Sequence, residues 1–190
     1  PYVRIAEVTL IRAGLVGGWP PNDIAIHPFG LMVVMAIWVG FALSLVHGRR
    51  MGLPTTALWS YLVWLVGFGF LGGHVFDLAF YGSESLARDP ARYLQLTQGQ
   101  SSFGGFLGAA FGSWLWSKRY RCSPWPLAET VASAFPMAWV IGRLGCAVAH
   151  DHPGRVSSAW WAVAYPGSPR LDMGLMEALL ILPLSKAMTY

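Results

Sequence analysis

The sequence predicts an all-α polytopic membrane protein: a bundle of about four to six transmembrane helices with a loop region on the outer face. Hydrophobic residues make up 55% of the 190 residues and charged residues only 12%. An ordinary soluble domain carries about a quarter charged residues. Several apolar runs come close to the roughly 20 helical residues that cross a hydrocarbon core. Residues 1–190 are therefore expected to form a single transmembrane domain.

Four apolar runs predict the spanning helices. Residues 28–47 contain no Lys, Arg, Asp or Glu and form the clearest span. A second run covers 56–81, a shorter third run covers 102–117, and a fourth covers 125–140. Residues 174–185 are apolar but too short to span, so they are expected to form a truncated last helix.

Two further segments are expected at the membrane surface. Residues 2–16 mix charged and apolar side chains, which is typical of an interfacial helix or a short strand. Residues 153–173 combine prolines and glycines with a tryptophan pair. They are expected to form an outer-face loop with an aromatic segment that seeks the interface.

The distribution of charge predicts the topology. The loops at 48–55 and 118–124 together hold five Lys or Arg and no acids, whereas acids and bases balance in the loop at 82–100. By the positive-inside rule the first two loops face the cytoplasm, which puts the segment around Arg143 on the outer face. The net charge of +4 is thus explained by topology. No basic stripe interleaved with aromatics is present, so no nucleic-acid partner is expected.

Glycine spacing indicates how the third run packs. Gly104, Gly108 and Gly112 recur every fourth residue and therefore share one helix face. Small residues at this spacing let two helix backbones approach closely in lipid. The pair Gly104 and Gly105 also offers backbone N–H groups that a ligand could use. These two glycines are therefore candidate substrate-binding positions as well as packing positions.

The polar segment at 141–155 is the most informative part of the chain. Arg143, Asp151 and Arg155 end an apolar run, and the glycines among them predict a helix end followed by a turn. Charge at a membrane boundary is costly unless partners or headgroups meet it. A planar guanidinium engages phosphate oxygens through two parallel hydrogen bonds, so an anionic lipid phosphate is the expected ligand. The alternative is that the arginines only mark the interface.

Other polar residues in the apolar runs have simpler interpretations. His74 and Asp77 lie three residues apart on one helix face, where a polar contact inside the bundle is favoured over catalysis. Glu129 and Glu177 are each expected to pair with an arginine or a backbone N–H. Ser101 precedes a helix start and is expected to cap it.

The sequence His150-Asp151-His152 raises the possibility of a metal site. Alternation puts the two imidazoles on one side only if the segment is extended, and no further cluster of ligands is evident nearby. We therefore predict neither a metal nor another cofactor.

The run Gly142-Arg143-Leu-Gly-Cys-Ala-Val-Ala-His-Asp-His-Pro-Gly-Arg155 resembles the signature of the prolipoprotein diacylglyceryl transferase family. That signature is Gly-Arg-x-Gly-Asn-Phe-x-Asn-x-Glu-x-x-Gly-Arg, and the spacing is kept throughout. Three other motifs follow in order. Phe29-Gly-Leu is similar to Tyr-Gly-Leu, Ser101-Ser-Phe-Gly-Gly-Phe-Leu-Gly108 to Ser-Phe-His-Gly-Gly-Leu-Ile-Gly, and Leu171-Asp-Met-Gly-Leu-Met-Glu177 to His-Pro-Ser-Gln-Leu-Tyr-Glu.

The resemblance implies a multi-pass enzyme of the bacterial inner (plasma) membrane whose site faces the outer side. Its reaction moves diacylglyceryl from phosphatidylglycerol to the lipobox cysteine thiol in the signal peptide of a prolipoprotein, releasing glycerol phosphate. The implied catalytic residues are Arg143, Asp151 and Arg155. The implied substrate-binding residues are Gly104, Gly105, Gly142, Cys146, Gly154 and Glu177.

The chain departs from the family pattern at several polar positions. Apolar or weakly polar residues replace hydrogen-bonding ones at Phe29, Phe103, Cys146, Leu171 and Met176. The family's last helix, with a further arginine, is expected to follow Tyr190. The alternative to an active transferase is a catalytically inactive, lipid-binding relative that serves as a structural subunit of a membrane complex. If the chain is active, the candidate bases are His27, His74 and His150.

Overall fold

The computed structural model describes residues 8–11, 24–26, 28–80 and 99–188. The helices are α1 (Pro28–Arg50), α2 (Thr55–Phe80), α3 (Ser102–Tyr120), α4 (Trp125–Ala149) and α5 (Met173–Met188). The strands are β1 (Val8–Ile11), β2 (Ile24–Ile26), β3 (Pro153–Val156), β4 (Val163–Tyr165) and β5 (Ser168–Asp172). The chain divides into a first unit, residues 1–44 and 131–190, and a second unit, residues 45–130.

The helices confirm a polytopic membrane protein of the all-α class. Within the described residues three helices, α1, α2 and α4, are long and apolar enough to cross a bilayer. Helix α3 has 19 residues and is not among them. Large apolar side chains are exposed along the helices, as at Trp38, which is 63% exposed. A soluble monomer rarely exposes apolar surface on this scale, whereas lipid accommodates it.

Helix α4 is longer than the sequence predicted. The expected end was near residue 140, with a turn among the following glycines, but the helix continues to Ala149. His150, with a φ of 53°, ends it in the left-handed region. That prediction was wrong because Gly142 and Gly145 are tolerated inside the helix. Gly145 is needed for packing, since a Cβ there would lie 2.9 Å from Cβ of Met32 on α1.

The second unit is built on an antiparallel contact between α2 and α3. A Cβ on Gly72 would lie 2.5 Å from the carbonyl oxygen of Gly104 and 2.7 Å from Cα of Gly108. Nearer the other end of the pair, the hydroxyl groups of Tyr61 and Ser113 are 2.9 Å apart. The predicted packing of the small residues of α3 is confirmed, since at these distances only glycine fits.

A small antiparallel sheet in the first unit corrects the expectation of a loop at 153–173. Its strand order is β3-β5-β4, and Tyr165 pairs with Ser168 across a two-residue turn. Gly167 in that turn has a φ of 91°, a conformation that glycine adopts without strain. The sequence signal was missed because these strands have only three to five residues.

The secondary structure near the two ends of the chain agrees with the sequence predictions. Strand β1 pairs antiparallel with β2. Of the two structures predicted for 2–16, a helix or a short strand, part of the segment therefore forms the strand. The last apolar run forms a helix of 16 residues, α5, as expected for a segment too short to span.

Candidate functional site

Arg143 forms an ion pair with Glu177. The Nε atom lies 2.7 Å from Oε2, and the two side chains are 20% and 33% exposed. The Nε–H is not directed at the carboxylate, so the contact is electrostatic without being a hydrogen bond. The predicted pairing of Glu177 with an arginine is confirmed.

A glycine on α5 makes this ion pair possible. A Cβ on Gly174 would lie 2.7 Å from the backbone nitrogen of Ala147 and 2.9 Å from the carbonyl oxygen of Arg143. The start of α5 is therefore in backbone contact with the last turns of α4. Because residues three apart share a helix face, Glu177 follows Gly174 on the side that faces α4.

Two further contacts hold the guanidinium of Arg143. Its Cζ atom lies 5.2 Å from the ring centroid of Trp139, which is within cation–π range. Its Nη1 atom donates to Sγ of Cys146 over 3.9 Å, a long and weak hydrogen bond. Among the described residues, the carboxylate of Glu177 contacts the guanidinium of Arg143 at its Nε atom. No hydrogen bond from either terminal nitrogen to an acid is seen among these residues.

Asp151 lies beside Cys146 in the turn that follows α4. A carboxylate oxygen of Asp151, Sγ of Cys146 and a ring nitrogen of His152 all lie within 4.8 Å of one another. Oδ1 of Asp151 is 2.6 Å from Nδ1 of His152. The structure thus brings together Arg143, Glu177, Cys146 and Asp151, four of the predicted site residues.

Gly154 and Arg155 lie on β3, where their surroundings differ. A Cβ on Gly154 would lie 2.8 Å from the carbonyl oxygen of Leu171, so glycine is needed to keep β3 against β5. The Gly154 carbonyl accepts a hydrogen bond of 3.1 Å from Nη1 of Arg170. Arg155 is exposed, and the part of the chain that the structure describes offers it no ion pair or hydrogen bond.

Asp172 is a buried polar centre that the sequence analysis missed. It is only 3% exposed. Oδ1 accepts a hydrogen bond of 3.0 Å from the backbone N–H of Leu175, which caps α5. Oδ2 accepts one of 2.7 Å from the hydroxyl of Tyr165 and lies 3.1 Å from Nδ1 of His150. An aspartate directly before an apolar run is an N-cap signal, and it could have identified this residue.

Gly104 and Gly105 lie in the second unit, and their N–H groups are already engaged. The N–H of Gly104 donates to Oγ of Ser101 over 3.4 Å, and that of Gly105 donates to the Ser101 carbonyl over 2.9 Å. The expected cap at Ser101 is confirmed. The two N–H groups are therefore unavailable to a ligand while this cap is formed, which corrects the idea that they serve as donors. Gly142, in the first unit, has open space where a Cβ would be.

The remaining polar predictions have mixed outcomes. His74 is buried, as expected for a polar residue inside the bundle. The carboxylate of Asp77 lies against Gly99. Glu129 is exposed, and no described residue forms an ion pair or hydrogen bond with it, so its predicted pairing is not observed. His27 lies outside the described residues.

Comparison with known proteins identifies the relatives of this chain. Its residues 20–184 match the family model described as prolipoprotein diacylglyceryl transferase. Similar proteins carry the name phosphatidylglycerol–prolipoprotein diacylglyceryl transferase. The one from Chromohalobacter salexigens is 34% identical over 143 residues, which cover 75% of this chain and 54% of that protein. The one from Sinorhizobium medicae is 32% identical over 171 residues, covering 84% of this chain and 61% of the relative.

A relative from Xanthomonas euvesicatoria is 29% identical over 154 residues, covering 79% of this chain and 52% of its own length. The chain thus spans about half the length of the curated relatives it matches. The family match includes the whole segment from Arg143 to Glu177, which contains the polar contacts of Arg143 and of Asp172. The chain belongs to the prolipoprotein diacylglyceryl transferase family.

Proposed function

We propose that this protein transfers diacylglyceryl from phosphatidylglycerol to the lipobox cysteine thiol in the signal peptide of a prolipoprotein. Membership of the family supports the reaction class. The observation that carries the proposal is the arrangement of Arg143. In a membrane protein, its guanidinium is fixed from one edge by Glu177 and from one face by Trp139. The terminal nitrogens, of which Nη1 contacts only the weak acceptor Cys146, would then bind a phosphodiester.

The ion pair with Glu177 supports a binding role because it orients the arginine without occupying its whole donor set. A guanidinium has five N–H donors in a fixed fork. The carboxylate lies at the Nε edge, and the thiol of Cys146 is a weak acceptor for Nη1. A phosphate oxygen would accept more strongly than the thiol and would displace it. Arg155 on β3 would supply a second positive charge, and Gly154 would keep that strand in place.

The reaction needs a thiolate and a stabilised leaving group. The sulfur of the substrate cysteine forms a bond to the terminal glycerol carbon of the diacylglyceryl group. The bond between that carbon and the phosphate oxygen breaks, and glycerol phosphate leaves with the electron pair. A thiol is a poor nucleophile until it is deprotonated. Arg143 and Arg155 would stabilise the charge that accumulates on the leaving phosphate.

His150 is the candidate base that the described contacts support best. Its Nδ1 lies 3.1 Å from the buried carboxylate of Asp172, which fixes the ring and would stabilise the imidazolium after proton uptake. The proton of the thiol would therefore go to His150. Asp151 carries an exposed carboxylate in the same turn and would help to shape the charge around Arg143.

The expected location is the bacterial inner membrane, with Arg143 and its contacts on the outer side. The basic residues at the ends of α1 and α3 support this orientation. Cys122, which is exposed in the basic loop after α3, offers a test. A membrane-impermeant maleimide should label it only after spheroplasts are lysed. A Ser158→Cys variant in a Cys122→Ser background should label in intact spheroplasts, and the reverse pattern would invert the topology.

The transferase proposal is tested with the purified full chain, phosphatidylglycerol vesicles and a lipobox peptide. We expect the peptide cysteine to gain the mass of a diacylglyceryl group. Arg143→Ala should lower the rate about 100-fold, since loss of one donor to a developing anion has an effect of this order. The matched control is Arg49→Ala, an arginine at another helix end, which should keep the rate. Equal rates in Arg143→Ala and the parent would remove Arg143 from the site.

The same assay separates the proposed enzyme from an inactive relative. If the peptide gains no mass while the protein still binds phosphatidylglycerol, the transferase proposal fails. A lipid-binding subunit of a membrane complex would then be the remaining function. The replacement of family polar residues by Phe29, Phe103 and Leu171 makes this control necessary.

A further inference from the structure

Three side chains of types that bind metal ions lie close together at the C-terminal end of α4. Cys146 contributes a thiol, Asp151 a carboxylate oxygen and His152 a ring nitrogen, and the three atoms lie within 4.8 Å of one another. They are separated by only a few residues along the chain, and all lie in the first unit. From the sequence, His150 and His152 were the candidate ligand pair, and no metal was expected because no further cluster of ligands was evident.

The structure separates the two histidines. His150 is directed to the buried Asp172, with Nδ1 3.1 Å from Oδ2, and its side chain is almost fully buried. His152 is half exposed and lies next to Asp151, with 2.6 Å between Nδ1 and Oδ1. His150 has a left-handed backbone conformation, with a φ of 53°, and the two imidazoles have different partners. The third side chain of the cluster is therefore Cys146 and not His150.

We propose that Cys146, Asp151 and His152 form a binding site for a zinc-class divalent ion. Thiolate, imidazole and carboxylate are all zinc ligands, and three protein ligands with one open position are a common arrangement for this ion. Magnesium and calcium are disfavoured because they take oxygen ligands almost exclusively. The site goes beyond the proposed transferase function and does not depend on it.

The geometry needs only a small adjustment to hold the ion. Tetrahedral zinc with its usual bond lengths places the donor atoms about 3.3–3.6 Å apart. The donors already lie within 4.8 Å of one another, so movements of roughly 1 Å suffice. Asp151 and His152 are 40% and 49% exposed, which leaves them free to move. Cys146 is buried and provides the fixed ligand.

Arg143 sets the strength of the site. Its Nη1 is 3.9 Å from the thiol, where a positive charge repels a divalent ion. Glu177 offsets part of this repulsion because it neutralises Arg143 at 2.7 Å. The site should therefore bind zinc more weakly than a closed structural site with four protein ligands.

Cobalt and zinc binding by the purified full chain in detergent test the proposal. A Cys122→Ser background removes the other described cysteine, which is exposed. Co²⁺ should give a thiolate-to-metal charge-transfer band that saturates at one ion per chain, and Zn²⁺ should displace the Co²⁺. Adding Cys146→Ser should abolish the band, and His152→Ala should weaken binding at least tenfold, the lower end of the loss known even for outer-shell partners. His47→Ala, a histidine in the second unit, is the matched control and should leave binding unchanged.

Two outcomes would overturn the proposal. If His152→Ala binds Co²⁺ as tightly as the background protein, the band reports a thiol that binds metal without the cluster. If no saturable binding is seen up to millimolar Co²⁺, Asp151 and His152 form only an ion pair beside a thiol. Because the measurement requires no lipid transfer, either result leaves the transferase proposal standing.

Discussion

The starts of helices α3 and α5 use the same local device with different consequences. In the second unit Ser101 caps α3 with a neutral hydroxyl, at 3.4 Å from the N–H of Gly104. In the first unit Asp172 caps α5 with a buried carboxylate, at 3.0 Å from the N–H of Leu175, and also contacts Tyr165 and His150. Backbone contact between glycines positions α3, whereas a polar centre joins α5 to the sheet. Among the described residues, the side chain of the capping residue thus hydrogen-bonds only to its own helix in the second unit. In the first unit it also links that helix to Tyr165 and His150.

The largest expected effect comes from the glycine contact between α2 and α3. In Gly72→Leu the new side chain would start 2.5 Å from the Gly104 carbonyl oxygen, so the helices must separate. We expect a loss of about 3 kcal/mol of stability, near the upper end for overpacking. The measurement is denaturant unfolding in detergent micelles.

Gly67→Leu is the matched control for this substitution. Gly67 also lies on α2, but a Cβ there would meet nothing within 4 Å. We expect its stability to stay close to that of the parent. Equal losses in the two variants would show that the α2–α3 contact does not depend on close backbone approach.

The second largest effect is expected at Asp172. In Asp172→Ala the N–H of Leu175 loses its cap, and the polar atoms of Tyr165 and His150 lose a buried partner. Loss of a cap costs about 1 kcal/mol. Leaving a buried donor unsatisfied costs about 1–3 kcal/mol. We therefore expect a loss of roughly 2 kcal/mol in the same unfolding measurement.

Asp172→Asn sharpens this prediction. The amide can keep an oxygen acceptor for Leu175 but lacks the charge and one of the acceptor atoms. If the contacts with Tyr165 and His150 contribute more stability than the cap, Asp172→Asn should lose most of the stability that Asp172→Ala loses. A fully stable Asn variant would show that capping alone explains Asp172.

The two units also differ in how far the sequence predicted them. The glycine contact was predictable because Gly104, Gly108 and Gly112 mark one helix face within a single continuous run. The charge of Glu177 likewise predicted a partner, either an arginine or a backbone N–H, because an unpaired acid is costly in a membrane. Which arginine it would be depended on the backbone contact at Gly174, and no periodicity in the sequence shows that contact.

The polar contacts of Asp172 could not be predicted from the local sequence pattern. Asp172, Tyr165 and His150 come from three elements, and they meet only after the turn at Gly167 forms a hairpin. His150 and His152 form one motif in the sequence because only Asp151 separates them. The left-handed backbone at His150 gives them different partners, and nothing in the sequence signals that conformation in a residue other than glycine.

The smallest expected effect is at Ser101. Its side-chain hydrogen bond to Gly104 is long, at 3.4 Å, and Ser101 is only partly buried. We expect Ser101→Ala to lose about 0.5 kcal/mol, the low end for an N-cap, because the hydrogen bond that is lost is already long. The main-chain bond from the Gly105 N–H to the Ser101 carbonyl is unaffected by the substitution, so the first turn should persist. Suppose instead that Ser101→Ala lost as much stability as Asp172→Ala. The lost cap alone would then explain both losses, and the buried contacts of Asp172 with Tyr165 and His150 would add nothing to its stability.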